Sequence, residues 1–267
     1  MRRINLFSYG MMSLLKLFAR VLVIVLAVSL FQQAHSAQAV PVRPPHFDRR
    51  AMPEALAAPV RSPKGDAAKP APDWRFYVLE YHNFTENASQ ATDYTMTVSA
   101  LRRDLDFLRD NGYTTVLPRE LTASQLDDGS PLPQKAVLLT FDDGYDDNST
   151  NLLPLLQKYG MKATIFLIAG DVGKRHKLTR EQISELVQSG LVSIQSHGWS
   201  HRNMANLPPL ELLLEMARSQ SAIAALTGRP PTALSYPNGS SNERVRKIAG
   251  WFYTYGVRTY AGVYVTG

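Results

Sequence analysis

The sequence contains no cysteine, which excludes disulfides, thiolate metal ligands and a cysteine nucleophile. It also lacks an excess of positive charge where a folded domain is expected, because residues 74–267 carry 19 basic and 19 acidic side chains. Proteins that bind nucleic acid usually present surplus basic residues to the phosphates, so we expect no nucleic-acid partner. Apolar residues form 45% of the 267 positions, which is enough for a sizeable hydrophobic core.

The apolar segment near the start of the chain is too short for an ordinary membrane span. It covers residues 21–31 and follows several basic residues, whereas a span needs about 20 apolar residues. With the small-x-small sequence at residues 37–39, this pattern predicts an export signal over residues 1–39. The alternative is an uncleaved signal anchor that adds residues 14–19, although Arg20 interrupts that longer stretch. Either form predicts export to the periplasm, the cell envelope or the medium, with membrane contact only through an uncleaved anchor.

Residues 40–73 have the composition of a linker. They hold eight of the 17 prolines, mixed with alanine, arginine and lysine, and show no apolar periodicity. Such a segment buries too little apolar surface to offset the entropy lost on ordering, so we expect it to be extended or disordered. The folded domain is therefore predicted over residues 74–267.

Within that domain, segments typical of strands and of helices alternate, which predicts parallel βα units and an α/β fold. The predicted strands cover residues 76–79, 113–117, 136–141, 163–168, 191–195 and 233–235. Helices are predicted after the capping residues Thr97, Thr179 and Asn242 and over residues 152–159 and 209–226. In the last of these helices, the apolar pattern predicts an inward stripe of Leu210, Leu213, Leu214 and Ala217.

The most informative stretch is the apolar run at residues 137–141, which stops at Asp142, Asp143 and Gly144. A strand that ends here and turns at the glycine directs both carboxylates into one pocket. Two carboxylates so close repel each other, so a cation or different environments must settle their charges. The alternative is an ordinary acidic turn, since Asp and Gly are common turn residues.

A second polar motif follows another short apolar stretch and contains His197 and His201, four residues apart. In parallel sheets the carboxyl ends of the strands form sites, and both motifs and Tyr236 follow predicted strands. Two imidazoles and a carboxylate provide three ligands and leave open positions for water and substrate, as a catalytic metal site requires. A histidine pair at this spacing is alone more often a surface pair on a helix. Joined to two aspartates, it predicts metal-dependent hydrolysis of an amide or ester, in which one aspartate binds the metal and its neighbour acts as general base.

These motifs resemble the carbohydrate esterase family 4 polysaccharide deacetylases, and the resemblance covers residues 74–267. Residues 140–144 are similar to the first family motif, and residues 197–201 to its paired-histidine motif, with Gly198 where serine or threonine is usual. Residues 236–239 resemble the third motif. Tyr81 and His82 resemble the opening strand of the subgroup that acts on extracellular polysaccharides. The resemblance implies an irregular (β/α) barrel of about seven parallel strands, incomplete at the C-terminus.

The resemblance also implies roles for individual residues. Asp142 would be the general base, and a divalent ion would be held by Asp143, His197 and His201. We expect zinc, with Co²⁺, Ni²⁺, Mn²⁺ or Fe²⁺ as alternatives. Tyr236 would contribute its backbone N–H to the oxyanion hole. The substrate would be an N-acetylated glycan, and the residues expected to contact it are Trp199, Pro237 and His82. For Trp199 the alternative is packing between the histidines, and for His82 it is a structural hydrogen bond.

The sequence departs from the family pattern in three places. No histidine follows His201, although the family carries a later Leu-x-His whose imidazole protonates the leaving amine. The arginine usual before the third motif is matched only weakly, by Arg229. The sequence stops at Gly267, so we expect a shortened form. The prediction is an exported, metal-dependent polysaccharide N-deacetylase. The alternatives are an acetyl esterase and a weak or inactive glycan-binding relic, because loss of the acid alone lowers a rate by about 10²–10⁴.

Overall fold

The computed structural model describes residues 75–121, 132–258 and 264–265. The predicted export signal and linker lie outside the described residues. The domain is built around strand β5 (Ala136–Asp143), whose first seven residues are all buried. A strand buried on both faces is typical of a parallel sheet covered by helices, and this explains the unbroken apolar run in the sequence.

The main sheet has eight described strands in the order β10, β1, β5, β6, β7, β8, β9, with β4 also pairing with β5. Seven of these strands run parallel, and only β10 is antiparallel to its neighbour β1. Besides β5, the strands are β1 (Arg75–Tyr81), β4 (Thr114–Thr115), β6 (Ala163–Leu167), β7 (Val192–Ser196), β8 (Ala233–Ser235), β9 (Tyr255–Val257) and β10 (Tyr264–Val265).

The described strands β9 and β10 lie at opposite ends of this order and do not pair, so the sheet stays open. The predicted α/β fold, an incomplete barrel of parallel strands, is therefore confirmed. The predicted strand at residues 113–117 is shorter than expected, because only two of its residues join the ladder with β5. A small parallel pair, β2 (Asn83–Thr85) with β3 (Thr95–Thr97), was not predicted.

Five α-helices are described, and the predicted capping residues begin three of them. Thr97 accepts from Ala100 N, Thr179 and Gln182 form a capping box, and Asn242 accepts from Val245 N. The helices are α1 (Val98–Asp110), α2 (Leu153–Tyr159), α3 (Arg180–Gln188), α4 (Pro209–Thr227) and α5 (Glu243–Ala249). No helix in this part of the chain combines the length and the apolarity that a membrane crossing needs.

The predicted inward stripe of α4 is wrong. Leu210 is 51% exposed and Leu214 is 41% exposed, while Leu213 and Ala217 are only partly buried. The buried residues lie on a neighbouring stripe that includes two polar side chains, namely Leu212, Glu215, Met216, Ser219 and Ile223. The leucines near the start of α4 occupy more than one face, so apolarity does not fix the helix rotation. The two buried polar side chains, Glu215 and Ser219, form hydrogen bonds with residues of the histidine motif and of the strand before it. These hydrogen bonds make their burial favourable.

Candidate active site

The carboxyl ends of four parallel strands bring the predicted polar residues to one edge of the sheet. Asp142 and Asp143 are the last residues of β5, and His82, His197 and Tyr236 directly follow β1, β7 and β8. This is the edge at which open α/β sheets form their sites. We call residues 142–147 the acidic loop and residues 197–201 the histidine loop.

Three side chains converge at the geometry expected for metal ligands. Asp143 Oδ1 lies 3.5 Å from His197 Nε2 and 3.4 Å from His201 Nε2. Nitrogen and oxygen ligands at about 2.0–2.1 Å from a tetrahedral zinc ion lie about 3.4 Å apart, so these atoms match that spacing. Asp143 Oδ1 is also buried and has no hydrogen-bond partner among the described residues. The donor set and its spacing therefore fit a divalent ion.

The local backbone of the acidic loop directs Asp143 toward the histidines. Asp143 and Gly144 have φ values of 73° and 68°, so the chain leaves β5 through two consecutive left-handed residues. Glycine is required at the second position, because a Cβ there would lie 2.4 Å from Leu167 Cδ1. Lys177 Nζ donates to the Asp143 carbonyl at 3.3 Å. This contact ties the backbone of the metal-ligand candidate to the loop that carries Lys177.

His197 is prepared to act as a neutral ligand through Nε2. Its Nδ1 lies 2.8 Å from the Ser235 carbonyl, and a carbonyl only accepts, so Nδ1 carries the proton. Burial lowers the pKa of His197, and burial together with His197 lowers the pKa of His201. Both imidazoles are thus neutral at physiological pH and have a lone pair available for an ion.

Asp142 occupies a different environment from its neighbour. Its side chain is buried, and Ser235 Oγ donates to its Oδ2 at 2.7 Å. The other oxygen, Oδ1, has no hydrogen-bond partner among the described residues. Burial raises the pKa of Asp142 to about 8, an effect that the hydrogen bond from Ser235 opposes and the charge of Asp143 increases. This carboxyl group is suited to exchange a proton near neutral pH.

The histidine loop is supported by a buried carboxylate on α4. Glu215 Oε2 accepts from Trp199 N at 3.0 Å and from Ser200 N at 2.9 Å, and Oε1 accepts from Ser200 Oγ. Gly198 lies at φ 78°, and a Cβ there would contact Met204 Cε at 3.0 Å, which explains glycine where the family usually has serine or threonine. His197 and His201 are therefore held on an irregular loop rather than on one face of a helix.

His82 joins the site from the first strand. One ligand atom from each of Glu80, His82 and Asp142 lies within 4.8 Å of the others, and His82 Nε2 is 3.9 Å from Glu80 Oε1. Asn148 Nδ2 donates to the His82 carbonyl at 3.1 Å and fixes the chain at this point. Burial lowers the pKa of His82 to about 4. The structure thus brings an imidazole to Asp142, although no histidine follows His201 in the sequence.

Tyr236 lies where β8 pairs with β9. Its backbone N–H donates to the Val257 carbonyl at 2.9 Å, so this N–H is engaged with β9, and the oxyanion contact through it stays a prediction. This N–H donates within the short pairing of β8 with β9. The Tyr236 side chain is buried, and its hydroxyl would lie 2.6 Å from a Cβ added at Gly256. Tyr236 therefore packs between the sheet and the helices beside it.

The predicted substrate contacts Pro237 and Trp199 pack against the backbone of neighbouring loops. Pro237 is buried, with its Cγ 3.8 Å from a Cβ built at Gly198. Trp199 is partly buried, and its indole Nε1 would lie 3.2 Å from a Cβ at Gly170. For Trp199 this arrangement agrees with a packing role, while contact with substrate stays a prediction for both residues.

Sequence reasoning missed the residues that hold the site together. Arg229, the weak match for an arginine that orients the base, is exposed just beyond α4, and Ser235 contacts Asp142 instead. The only sequence signal for Ser235 was its position directly before Tyr236. The only sequence signal for Glu215 was its spacing, three residues after Leu212 and four before Ser219, which places it on the buried stripe of α4. Nothing in the sequence pattern pointed to Lys177.

Comparisons with known proteins agree with the geometry. A sequence profile described as polysaccharide deacetylase matches residues 129–252. The "Putative polysaccharide deacetylase YxkH" of Bacillus subtilis (strain 168) is 35% identical over 230 residues, covering 84% of this chain and 77% of that protein. The poly-beta-1,6-N-acetyl-D-glucosamine N-deacetylase of Escherichia coli (strain K12) is 32% identical over 149 residues. That match covers 50% of this chain but only 22% of the E. coli protein.

A solved structure shares the fold as well. The Streptococcus pyogenes deacetylase PplD, determined in complex with acetate, superposes with a TM-score of 0.66 at 26% identity. The match covers 72% of this chain and 86% of PplD. The similarity therefore includes most of the described sheet and helices, in addition to the short motifs.

Proposed function

Because the chain belongs to the polysaccharide deacetylase family, we propose that it hydrolyses N-acetyl groups of an extracytoplasmic, N-acetylglucosamine-containing polysaccharide and releases acetate. The observation that carries this proposal is the convergence of Asp143, His197 and His201 beside the buried carboxyl group of Asp142. A relative from E. coli is named for deacetylation of a glucosamine polymer, which supports this substrate class.

The metal-ligand set in this proposal is Asp143, His197 and His201. Two nitrogens and one carboxylate oxygen favour zinc, and Co²⁺, Ni²⁺, Mn²⁺ and Fe²⁺ accept the same donors. When bound, such an ion lowers the pKa of a water molecule to about 7 and polarises the acetyl carbonyl. The protein prepares for it through the hydrogen bond from His197 Nδ1 to Ser235, which leaves Nε2 directed at Asp143.

Asp142 acts as the general base in this proposal. In the ionised form, which a cation in the site favours, its Oδ1 accepts the proton of the attacking water while Ser235 Oγ donates to the other oxygen. The carboxylate lies outside the three-ligand set, although its Oδ2 is 3.7 Å from His197 Nε2. The two adjacent aspartates thus have different roles, since Asp143 binds the ion and Asp142 accepts the proton.

His82 supplies the general acid that the late sequence lacks. Its imidazole lies beside Asp142 and Glu80, so it is placed to pass a proton to the leaving nitrogen. Burial lowers its pKa to about 4, so the imidazole is neutral near pH 7 and acts as the acid only by relaying to the leaving nitrogen the proton that Asp142 has taken from the water. This position supports an active enzyme over an inactive glycan-binding relic.

The location follows from the sequence. We propose that residues 1–39 direct export, that residues 40–73 form a linker and that residues 74–267 form the deacetylase domain. The neutral charge balance of residues 74–267 agrees with a glycan substrate rather than nucleic acid.

Acetate release from N-acetylglucosamine oligomers by zinc-loaded protein tests this function, with Asp142→Asn as the control. We expect the variant to retain zinc and to lose about 10²–10⁴ in kcat. Acetyl esters run in parallel separate an amidase from an esterase. Equal release by both proteins, or none by either, would contradict the proposal. His82→Gln tests the acid, and it should lower kcat on the amide far more than on an activated acetyl ester, whose leaving group needs no proton.

A further inference from the structure

An arm of the chain lies beside the candidate active site and is fixed to it. We define the arm as residues 83–97, which contain the paired strands β2 and β3. Phe84 N donates to Asp147 Oδ2 of the acidic loop at 2.7 Å, and Asn83 N donates to the Tyr94 carbonyl at 3.4 Å. These bonds join the arm to the acidic loop and join Tyr94 to the residue that directly follows His82.

Tyr94 presents an aromatic ring to solvent next to His82. The two ring centroids are 5.1 Å apart with an interplanar angle of 88°, and Tyr94 is 54% exposed. Its backbone N–H donates to Thr92 Oγ1 at 3.2 Å, so the main chain on both sides of the ring is held. The other exposed aromatic residues of the described chain lie elsewhere. Phe107 is on α1 and packs near Tyr113, and Trp251 lies just after α5.

From this position we infer that Tyr94 binds a sugar unit adjacent to the one that loses its acetyl group, an inference that rests on the proposed function. A pyranose ring presents a face of C–H groups that packs on an aromatic face, and the tyrosine hydroxyl bonds to a sugar hydroxyl. His82 packs on Tyr94 and also lies near Asp142, so a sugar on Tyr94 lies beside the sugar that carries the reacting acetyl group. The site therefore selects chains of at least two sugars over monosaccharides.

The order already present in the arm supports this assignment. A ring whose backbone is fixed before binding loses little conformational entropy when a sugar packs on it. The ring is also attached to the same segment as His82, so a sugar on Tyr94 fixes the position of its neighbour relative to the acid.

The first test measures binding without turnover. Oligomers of N-acetylglucosamine, linked β-1,4 or β-1,6, are titrated into zinc-loaded Asp142→Asn protein and into Asp142→Asn/Tyr94→Ala, with the monomer as reference ligand. We expect Tyr94→Ala to weaken oligomer binding about fivefold to tenfold and to leave monomer binding unchanged. Tyr94→Trp should retain oligomer binding, and Trp251→Ala serves as a matched exposed-aromatic control that should have no effect.

The second test measures kinetics in the catalytically intact protein. Tyr94→Ala should raise KM for oligomers about fivefold to tenfold with little change in kcat and should affect acetate release from a monomeric substrate much less, whereas Trp251→Ala should leave both unchanged. Equal losses on monomer and oligomer would assign Tyr94 to the support of His82 and overturn the subsite, as would no loss on either. Failure of the wild-type protein to release acetate would contradict the proposed function alone, because the binding titration still tests Tyr94.

Discussion

The acidic loop and the histidine loop supply ligands to the same candidate ion, but they are shaped in different ways. In the acidic loop, the left-handed residues Asp143 and Gly144 turn the chain directly after β5. In the histidine loop, a carboxylate from a distant helix, Glu215, holds two backbone N–H groups. The first arrangement is local in sequence, and the second depends on tertiary packing. The predictions below separate these two forms of support.

Replacement of Gly144 by alanine should produce the largest effect. The added Cβ meets Leu167 Cδ1 at 2.4 Å in a left-handed conformation, so we expect a loss of about 2–4 kcal/mol in the free energy of unfolding. Gly160→Ala is the matched control, because Gly160 is left-handed but has nothing within 4 Å of its Cβ position. It should cost only about 1–2 kcal/mol. Denaturant unfolding of both variants measures the difference, and equal losses would show that the acidic loop tolerates the contact.

Replacement of Glu215 by alanine tests the remote support of the histidine loop. Without the carboxylate, the N–H groups of Trp199 and Ser200 lose their buried acceptor, and the loop loses its fixed shape. We expect zinc affinity to fall about 10–100-fold, as for other groups that orient metal ligands. Glu211→Ala, which removes an exposed ion pair with Arg202, should change it little. Calorimetric titration of zinc into both variants measures the two affinities. Similar affinities would show that Glu215 does not support the histidine loop.

The two loops should also respond to pH in opposite directions in metal-free protein. Burial raises the pKa of Asp142 to about 8, so above pH 4 the folded protein keeps a proton that the unfolded chain has released. The free energy of unfolding should therefore fall as pH rises toward 8, by up to about 1.4 kcal/mol per pH unit. The lowered pKa values of His197 and His201 act the other way, because below about pH 6.5 the unfolded chain binds more protons.

The window from about pH 7 to 8 reports mainly on the acidic loop, since histidines with an unfolded pKa of about 6.5 are by then largely neutral in both states. Across it, the metal-free wild-type protein should lose stability while Asp142→Asn should not. Thermal unfolding of both proteins in a series of buffers provides the measurement. Parallel curves would mean that Asp142 is ionised in the folded protein throughout this range.

Ser235→Ala should have the smallest effect and should act on one loop only. The variant removes the hydroxyl that donates to Asp142 but keeps the carbonyl that accepts from His197. We expect kcat to fall about tenfold, as for loss of one hydrogen bond to a charged group, with zinc affinity and KM unchanged. Ser235→Thr should restore most of the rate. A parallel fall in zinc affinity would mean that the substitution disturbs β8 as a whole.

Local support explains why the sequence predicted part of this molecule well. The buried strand β5, the capping residues and the convergence of the two motifs follow from short-range patterns, and each is present in the described chain. The carboxyl ends of parallel strands meet at one edge, so the position of each motif after a strand was enough to predict a shared site.

Remote support explains what the sequence did not predict. The rotation of α4 was misjudged because Glu215 and Ser219 look like solvent-facing residues until their partners are known. Ser219 Oγ lies 2.8 Å from Ser196 Oγ, beneath the histidine loop. The N–H of Tyr236 was likewise expected to be free, because the sequence did not show that β9 would accept a hydrogen bond from it. In each case the deciding hydrogen bond joins residues far apart in the chain.

One residue, Ser235, holds Asp142 through its hydroxyl and His197 through its carbonyl. A single strand residue thus positions the candidate general base and a candidate metal ligand relative to each other. Any substitution that shifts the backbone of β8 is therefore expected to disturb both side chains together, and metal affinity and turnover would then change in parallel.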